Sequence, residues 1–168
     1  YNEKVYKFPF AVNFEEFEKV RHSDVSYPDE LKDIKPPIIG YIGGVHKWID
    51  MGLIKEIAKS YPEYSFVFIG PEQTSIQKLA GLKNVHFLGK KEHERLPAFI
   101  KYFDVGIIPY LITEYTMNVY PTKLNEYLAL GKPVISTALP EVLYFNMEFG
   151  NIVYVAQDAN IFGEHIKK

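Results

Sequence analysis

The 168-residue chain contains no cysteine, which excludes disulfide bonds, zinc sites with cysteine ligands and thiol catalysis. It also lacks an apolar run long enough to span a membrane. There is no Asn-x-Ser/Thr glycosylation acceptor and no N-terminal pattern typical of a secretory signal. These absences predict a cytoplasmic location and no membrane span in this segment.

An excess of charge of one sign is also missing. The 19 basic and 21 acidic residues give a net charge of −2, which favours neither nucleic acid nor an anionic membrane surface as a partner. Any anion binding must therefore come from the local placement of cations. Aromatic content, by contrast, is high, with 13 Tyr and 12 Phe against a single Trp.

Several catalytic motifs are absent as well. The chain has no G-x-S-x-G elbow, no H-E-x-x-H motif and no acidic D-x-D pair for a divalent metal, and its five histidines are scattered. We therefore expect no metal site and no cofactor.

Regularly spaced apolar runs predict the fold class. The runs centre near Ile39, Phe66, His86, Ile107, Ile135 and Val153, and segments with helical periodicity lie between them. A spacing of roughly 20–28 residues leaves room for a crossover helix between strands. Continuous apolar strands are typical of strands buried on both faces. We expect an α/β fold with a doubly wound, mainly parallel sheet of about six strands.

The length predicts a single domain over residues 1–168. Residues 4–13 alternate weakly and predict a short strand, a short acidic helix follows, and residues 21–37 form a proline-containing surface connector. Residues 1–37 thus make an entry strand and connector, and residues 38–168 make the Rossmann-like core. Within the core, Asp50 is expected to cap a helix, residues 76–80 to form a short helix and residues 159–167 a terminal one.

One stretch, residues 118–137, combines a loop, a short helix, a sharp stop and a buried strand. Pro121 suits the first helical turn, and Gly131 suits the left-handed exit from the helix. The helix start would present free N–H groups with Lys123 in the same turn, which favours anion binding. Glu126, one turn further, can accept hydrogen bonds from hydroxyls of the molecule that carries the anion. A simple exposed Lys123–Glu126 ion pair is the alternative.

Three glycine turns follow predicted strands, at Gly43–Gly44, Gly70 and Gly89. Ligands of open parallel sheets bind outside the carboxyl ends of the strands, so these turns would lie on the working edge. Each turn could equally be a plain connection between a strand and a helix.

The run Pro121-Thr-Lys-Leu-Asn-Glu-Tyr-Leu-Ala-Leu-Gly-Lys-Pro-Val-Ile resembles the nucleotide-sugar motif of family-4 retaining glycosyltransferases, which have the GT-B fold. Weaker matches extend the resemblance over nearly the whole chain. The family motif is Glu, seven residues, Glu; the second Glu binds the donor ribose and the first contacts the transferred sugar. Glu126 matches the second Glu, whereas Asn118 stands at the position of the first. Asn118 could stabilise its own loop, or its amide could replace the carboxylate.

The resemblance implies that the chain is the donor-binding half of a glycosyltransferase. Such a domain binds a nucleotide diphosphate-sugar, most simply a UDP-sugar, and UDP is the product or bound ligand. The sugar would pass to an unknown glycan or lipid-linked acceptor with retention of configuration and without a metal. An N-terminal acceptor domain would be missing, so the chain alone is expected to be inactive. A sugar-nucleotide epimerase of GT-B fold and a non-catalytic flavodoxin-like module are the alternatives.

The resemblance also implies roles for individual residues. Asn118 and Lys123 are the catalytic candidates. The expected substrate-binding residues are Gly43, Gly44, Lys47, Gly70, Gly89, Lys90, Lys91, Tyr120, Pro121, Thr122 and Glu126. Among these, Gly89–Lys91 would hold the base, Glu126 the ribose and residues 121–123 the diphosphate.

Overall fold

Six parallel strands form one sheet at the centre of the computed structural model, which describes residues 4, 6 and 10–168. The strands are β1 (Ile38–Ile42), β2 (Ser65–Ile69), β3 (Val85–Phe87), β4 (Val105–Ile108), β5 (Val134–Thr137) and β6 (Tyr154–Ala156). Their order is β3-β2-β1-β4-β5-β6, and every neighbouring pair is parallel. The predicted fold class is therefore confirmed.

Helices cover both faces of this sheet. They are α1 (Phe14–His22), α2 (Met51–Ser60), α3 (Leu96–Lys101), α4 (Lys123–Ala129), α5 (Pro140–Phe149) and α6 (Ala159–Ile166). Helices α1, α3 and α4 pack together, and α2 packs on α6. Single 3-10 turns lie at Asp29–Leu31, Gln77–Leu79, His93–Arg95 and Thr116–Asn118. No helix in the described part of the chain is long and apolar enough to cross a membrane.

Two helix signals from the sequence act as expected. The Asp50 carboxylate accepts hydrogen bonds from the N–H groups of Gly52 (3.0 Å) and Leu53 (2.9 Å), so it caps α2. Gly131, with φ of +67°, ends α4 in the left-handed conformation that glycine adopts without strain. The N–H of Lys132 then bonds to the Tyr127 carbonyl at 3.0 Å, which completes the helix exit.

Three segments differ from the sequence-based expectation. The strand predicted over residues 4–13 lies partly outside the described residues, and residues 10–13 form no strand. Residues 21–37 are more than a surface connector, because Leu31 and Ile34 are buried in the core. The helix expected at 76–80 is one 3-10 turn, since Leu79 is the only side chain of that turn that is buried.

Tyr127 of α4 joins this helix to the centre of the sheet. Its ring lies over Gly106, where a Cβ atom would meet the ring carbons at 2.6 Å. Pairing between β1 and β4 covers only Ile39 and Gly40. Beyond that point the Tyr127 hydroxyl accepts a hydrogen bond from the N–H of Ile42 at 3.0 Å. Tyr127 therefore fixes α4 at the place where β1 and β4 separate.

The loops after β1 and β2 are in direct contact through glycine. The N–H of Gly43 donates to the Ile69 carbonyl at 2.9 Å, and a Cβ atom on Gly70 would lie 2.1 Å from the Gly43 carbonyl oxygen. Gly70 also has φ of +151°, a conformation that side chains rarely adopt. Only glycine at position 70 allows the two loops to approach this closely.

We expect Gly70→Ala to destabilise the fold more than Gly81→Ala. Both glycines have positive φ, +151° and +82°, but nothing lies within 4 Å of a Cβ atom on Gly81. Backbone strain alone predicts a loss of roughly 1–2 kcal/mol for Gly81→Ala. Overpacking against the Gly43 carbonyl should add about 1–3 kcal/mol for Gly70→Ala. Urea unfolding measures both free energies of unfolding, and equal losses would contradict the close contact.

Candidate functional site

The candidate site lies where the strand order reverses between β1 and β4. The chain leaves β1 toward β2 and leaves β4 toward β5, so the two following loops diverge and open a crevice. In doubly wound sheets this switch point is the usual place for a ligand. Helix α4 starts at this crevice because the loop after β4 leads directly into it.

Lys123, the first residue of α4, lies at the centre of this crevice and is only 8% exposed. Its ammonium donates a hydrogen bond to the Tyr110 hydroxyl. It also lies 5.1 Å from the centroid of the Tyr41 ring and 4.8 Å from that of the Tyr110 ring. A Cβ atom on Gly43 would contact the Lys123 side chain at 3.3 Å. We call Tyr41, Gly43, Tyr110 and Lys123 the lysine cluster.

The lysine cluster contains a cation without a carboxylate partner. The salt bridges of the described residues join Lys32 to Asp29 and both Lys91 and Arg95 to Glu30. The Lys123–Glu126 ion pair that the spacing allowed does not form in this part of the chain. Burial, reinforced by Tyr110, raises the pKa of Tyr41 well above its usual value, so its phenol stays neutral. Because a buried charge is normally paired, the cluster is suited to binding an anion.

The start of α4 adds hydrogen-bond donors beside Lys123. The N–H groups of Leu124 and Asn125 bond to the carbonyls of Pro121 (2.9 Å) and Thr122 (3.0 Å). Among the described residues, the N–H groups of Thr122 and Lys123 have no such partner. Two N–H groups are therefore available next to the ammonium, fewer than a helix start offers in general.

Glu126 lies one turn along α4 and is half-buried. Burial raises the pKa of its carboxyl above the usual 4.5, and the charges of His93 and Lys123 act in the opposite direction. The raised pKa shows that Glu126 is poorly solvated and has no strong partner of its own in the described structure.

The turn after β3 lies beside the other glycine turns, and its two lysines have different surroundings. Gly89 accepts a hydrogen bond from the N–H of Gly70 at 3.0 Å, which holds this turn beside the other two glycine turns. Lys90 is exposed, whereas the Lys91 ammonium pairs with Glu30 of the connector at 3.1 Å. This ion pair engages the Lys91 side chain and does not involve the backbone groups of the turn.

Several other predicted site residues lie apart from the lysine cluster. Tyr120 donates to the Asn125 side-chain oxygen at 2.6 Å and stacks on Phe10, in an apolar groove beside α4 and α5. Lys47 is exposed and lines a separate hollow beside the start of α2. Asn118 is exposed, and its amide group donates to the Glu114 carbonyl at 2.9 Å. This bond is the loop-stabilising interaction, one of the two roles that the sequence left open.

The sequence patterns do not single out Tyr41 or His93, and they place Tyr110 only beside the loop that leads to α4. Tyr41 lies inside a continuous apolar strand, for which core packing is the natural interpretation. His93 belongs to a polar segment without periodicity. Spacing along the sequence does not predict that Lys123 is buried beside Tyr41 and Tyr110 at the same edge of the sheet. Among the described residues, no group of three or more His, Asp or Glu side chains could hold a metal ion.

Comparison with known proteins is consistent with this geometry. Residues 36–168 match the family model described as Glycosyl transferases group 1. The chain is 35% identical over 144 residues to TuaH of Bacillus subtilis (strain 168), whose name proposes a glycosyltransferase of teichuronic acid biosynthesis. That match covers 82% of the chain and 35% of the relative, so the chain spans about a third of the length of TuaH.

Two solved structures share the fold. One is the C-terminal domain of a glycosyl transferase group 1 family protein (LpcC) from Francisella tularensis, with TM-score 0.61, 18% identity, and coverage of 89% of this chain and 85% of that one. The other is described as trehalose-6-phosphate from E. coli bound with UDP-2-fluoro glucose, with TM-score 0.63, 12% identity, and coverage of 95% and 42%. At these identities the likeness concerns the fold alone.

We expect Lys123→Met to stabilise the folded chain. Methionine fills a similar volume without burying an unpaired charge, and replacing buried charges with apolar groups commonly stabilises a protein by ~1–4 kcal/mol. Lys59→Met, at an exposed position of α2, is the matched control and should change stability by less than about 0.5 kcal/mol. Urea unfolding without ligand measures both. A large loss of stability in Lys123→Met would mean that the ammonium stabilises the fold.

Proposed function

The chain belongs to the group 1 glycosyl transferases, and we propose that it binds the nucleotide diphosphate-sugar donor of such an enzyme. A UDP-sugar is the favoured donor. The observation that carries the proposal is the buried, carboxylate-free ammonium of Lys123 beside the glycine loop at the switch point. A diphosphate would supply the negative charge that this cluster lacks.

The donor would lie along the crevice in a defined order. The base would contact the turn at Gly89, and the ribose hydroxyls would donate to Glu126 of α4. The diphosphate would lie on Lys123 and the free N–H groups of residues 122 and 123. The transferred sugar would then lie toward the loops that follow β1 and β4.

This arrangement would favour departure of the diphosphate during transfer. Negative charge grows on the leaving diphosphate as the bond to the sugar breaks. The Lys123 ammonium is already held by the Tyr110 hydroxyl, so it needs little reorganisation to stabilise that charge. We further propose retention of configuration and transfer without a metal, with a glycan or lipid-linked molecule as acceptor.

Two other functions receive less support. A sugar-nucleotide epimerase should place additional carboxylates near the anion site, but no salt bridge among the described residues brings a carboxylate to Lys123. A receiver-type flavodoxin-like module needs clustered acidic residues at the strand ends, and the described residues hold no cluster of three.

Lys123→Met should bind UDP at least ~10-fold more weakly than the unchanged chain, because one charge-assisted hydrogen bond contributes about 1.5–3 kcal/mol. Isothermal titration calorimetry measures the affinity, and Lys59→Met should bind like the parent. The expected gain in stability of Lys123→Met makes misfolding a poor explanation for lost binding. Undiminished UDP affinity in this variant would disprove the proposed diphosphate site.

UDP affinity should fall on acidification because of Glu126. Ribose hydroxyls donate to the ionised carboxylate, and the raised folded pKa means that Glu126 takes up its proton at higher pH than an ordinary carboxyl. Lowering the pH from 7 through this pKa should therefore weaken binding in the parent more than in Glu126→Gln. The ionisation of UDP itself affects both proteins equally, so the difference between the two profiles isolates Glu126. Parallel profiles would exclude Glu126 from the ribose site.

A further inference from the structure

Three aromatic rings form a continuous stack beside the lysine cluster, and we call them the rim stack. The rings of His46 and Trp48 have centroids 3.9 Å apart and planes inclined by 27°. The Tyr115 ring lies 5.2 Å from Trp48, inclined by 34°. His46 and Trp48 come from the loop after β1, and Tyr115 comes from the loop after β4. The stack therefore spans both sides of the crevice.

The rim stack is held by an ordered hydrogen-bond network. The N–H of Leu111 donates to the Trp48 carbonyl at 2.8 Å, which ties the two loops together. Thr116 is fully buried and accepts a hydrogen bond from the N–H of Thr113 at 2.8 Å. Its hydroxyl also donates to the Leu111 carbonyl. The loop that carries Tyr115 is thus fixed by its own buried threonine.

Despite this order, the outer end of the stack is open. Tyr115 is 61% exposed, and its neighbours Ile112 and Met117 are 50% and 43% exposed. Together with the half-buried Trp48, these three side chains from one loop make a larger apolar surface than a single exposed residue, and such surfaces commonly mark a binding site. The rim stack therefore has the character of a preformed platform for a flat apolar face.

The stack leads outward from the lysine cluster. Lys123 is buried, His46 and Trp48 are half-buried, and Tyr115 is exposed. A Cβ atom on Gly43 would meet the Lys123 side chain at 3.3 Å, and one on the adjacent Gly44 would meet the His46 ring at 2.7 Å, so both side chains lie against the same glycine pair. Burial and the charge of Lys123 both lower the pKa of His46. A donor sugar attached to a diphosphate on Lys123 would lie near His46. Trp48 and Tyr115 come next along the same path.

We propose that Trp48 and Tyr115 form a subsite for a pyranose ring of the acceptor glycan, a proposal that rests on the proposed function. Aromatic faces carry negative electrostatic potential and attract polarised C–H groups, and one face of a pyranose presents such groups. The sugar hydroxyls would remain at the ring edge, free to meet water or the donor. The nucleobase is not the proposed occupant, because in the proposed donor position it would lie at the turn after β3, and the rim stack lies on the loops after β1 and β4.

Trp48 is the only tryptophan of the chain, so its fluorescence reports directly on this subsite. Maltose, cellobiose and chitobiose would serve as neutral disaccharide probes, each titrated against the unchanged chain. We expect at least one of them to change the Trp48 emission in a saturable way at millimolar concentrations. Tyr115→Ala should weaken that affinity about tenfold, the upper range for one aromatic contact, whereas Tyr115→Phe should retain it.

Tyr144 offers a matched control, because it is 64% exposed on α5 and lies outside the crevice. Tyr144→Ala should bind the disaccharides as the parent does. The proposal is overturned if none of the three probes changes the emission, or if Tyr115→Ala binds as tightly as Tyr144→Ala. UDP calorimetry on the same samples separates the two claims. If UDP binds and no disaccharide does, the proposed subsite is overturned and the proposed donor site is not. If a disaccharide binds and UDP does not, the proposed donor site is overturned and the proposed subsite is not.

Discussion

The contact between Tyr127 and the sheet is the constraint on which the candidate site depends. Strands β1 and β4 pair over only two residues and then separate, which leaves the N–H of Ile42 in need of a partner. Tyr127 supplies that partner, and its ring occupies the space that Gly106 leaves free. One side chain thereby satisfies a buried amide, seals the switch point and holds α4 above it. Lys123 and Glu126 take their positions from that anchor, since both are carried by α4.

Helix α4 places the Lys123 ammonium in a buried position where no opposite charge of the described residues pairs with it. The Lys123 ammonium is surrounded by two tyrosines and a glycine loop rather than by carboxylates. Such an arrangement is unfavourable for stability and favourable for an incoming anion, which is the usual conflict between stability and function at a binding site. Neutral phenols suit this purpose, because they hold the ammonium by a hydrogen bond and by their ring faces without cancelling its charge.

The crevice is organised by loops that are themselves interlocked. The glycine turns after β1, β2 and β3 touch one another through backbone hydrogen bonds, with Gly70 in contact with the Gly43 carbonyl. On the opposite side, the buried Thr116 fixes the loop after β4 and leaves Tyr115 exposed. Rigid surroundings of this kind position a ligand without a large entropic penalty on binding. The proposed donor site and the rim stack are therefore two parts of one preformed edge.

The sequence by itself determined the six strands, their parallel arrangement, the Asp50 cap and the Gly131 exit, because these depend on local periodicity and on backbone preferences of single residues. It also marked Lys123 and Glu126 as the residues of interest through one contiguous motif. Only the tertiary structure decided which partners they meet. Lys91 forms an ion pair with Glu30. Tyr120 donates a hydrogen bond to Asn125 and stacks on Phe10. Tyr41 and Tyr110 lie beside Lys123. Except for the bond between Tyr120 and Asn125, these contacts join residues far apart in the chain, and the packing of helices on the sheet sets them rather than any spacing along the sequence.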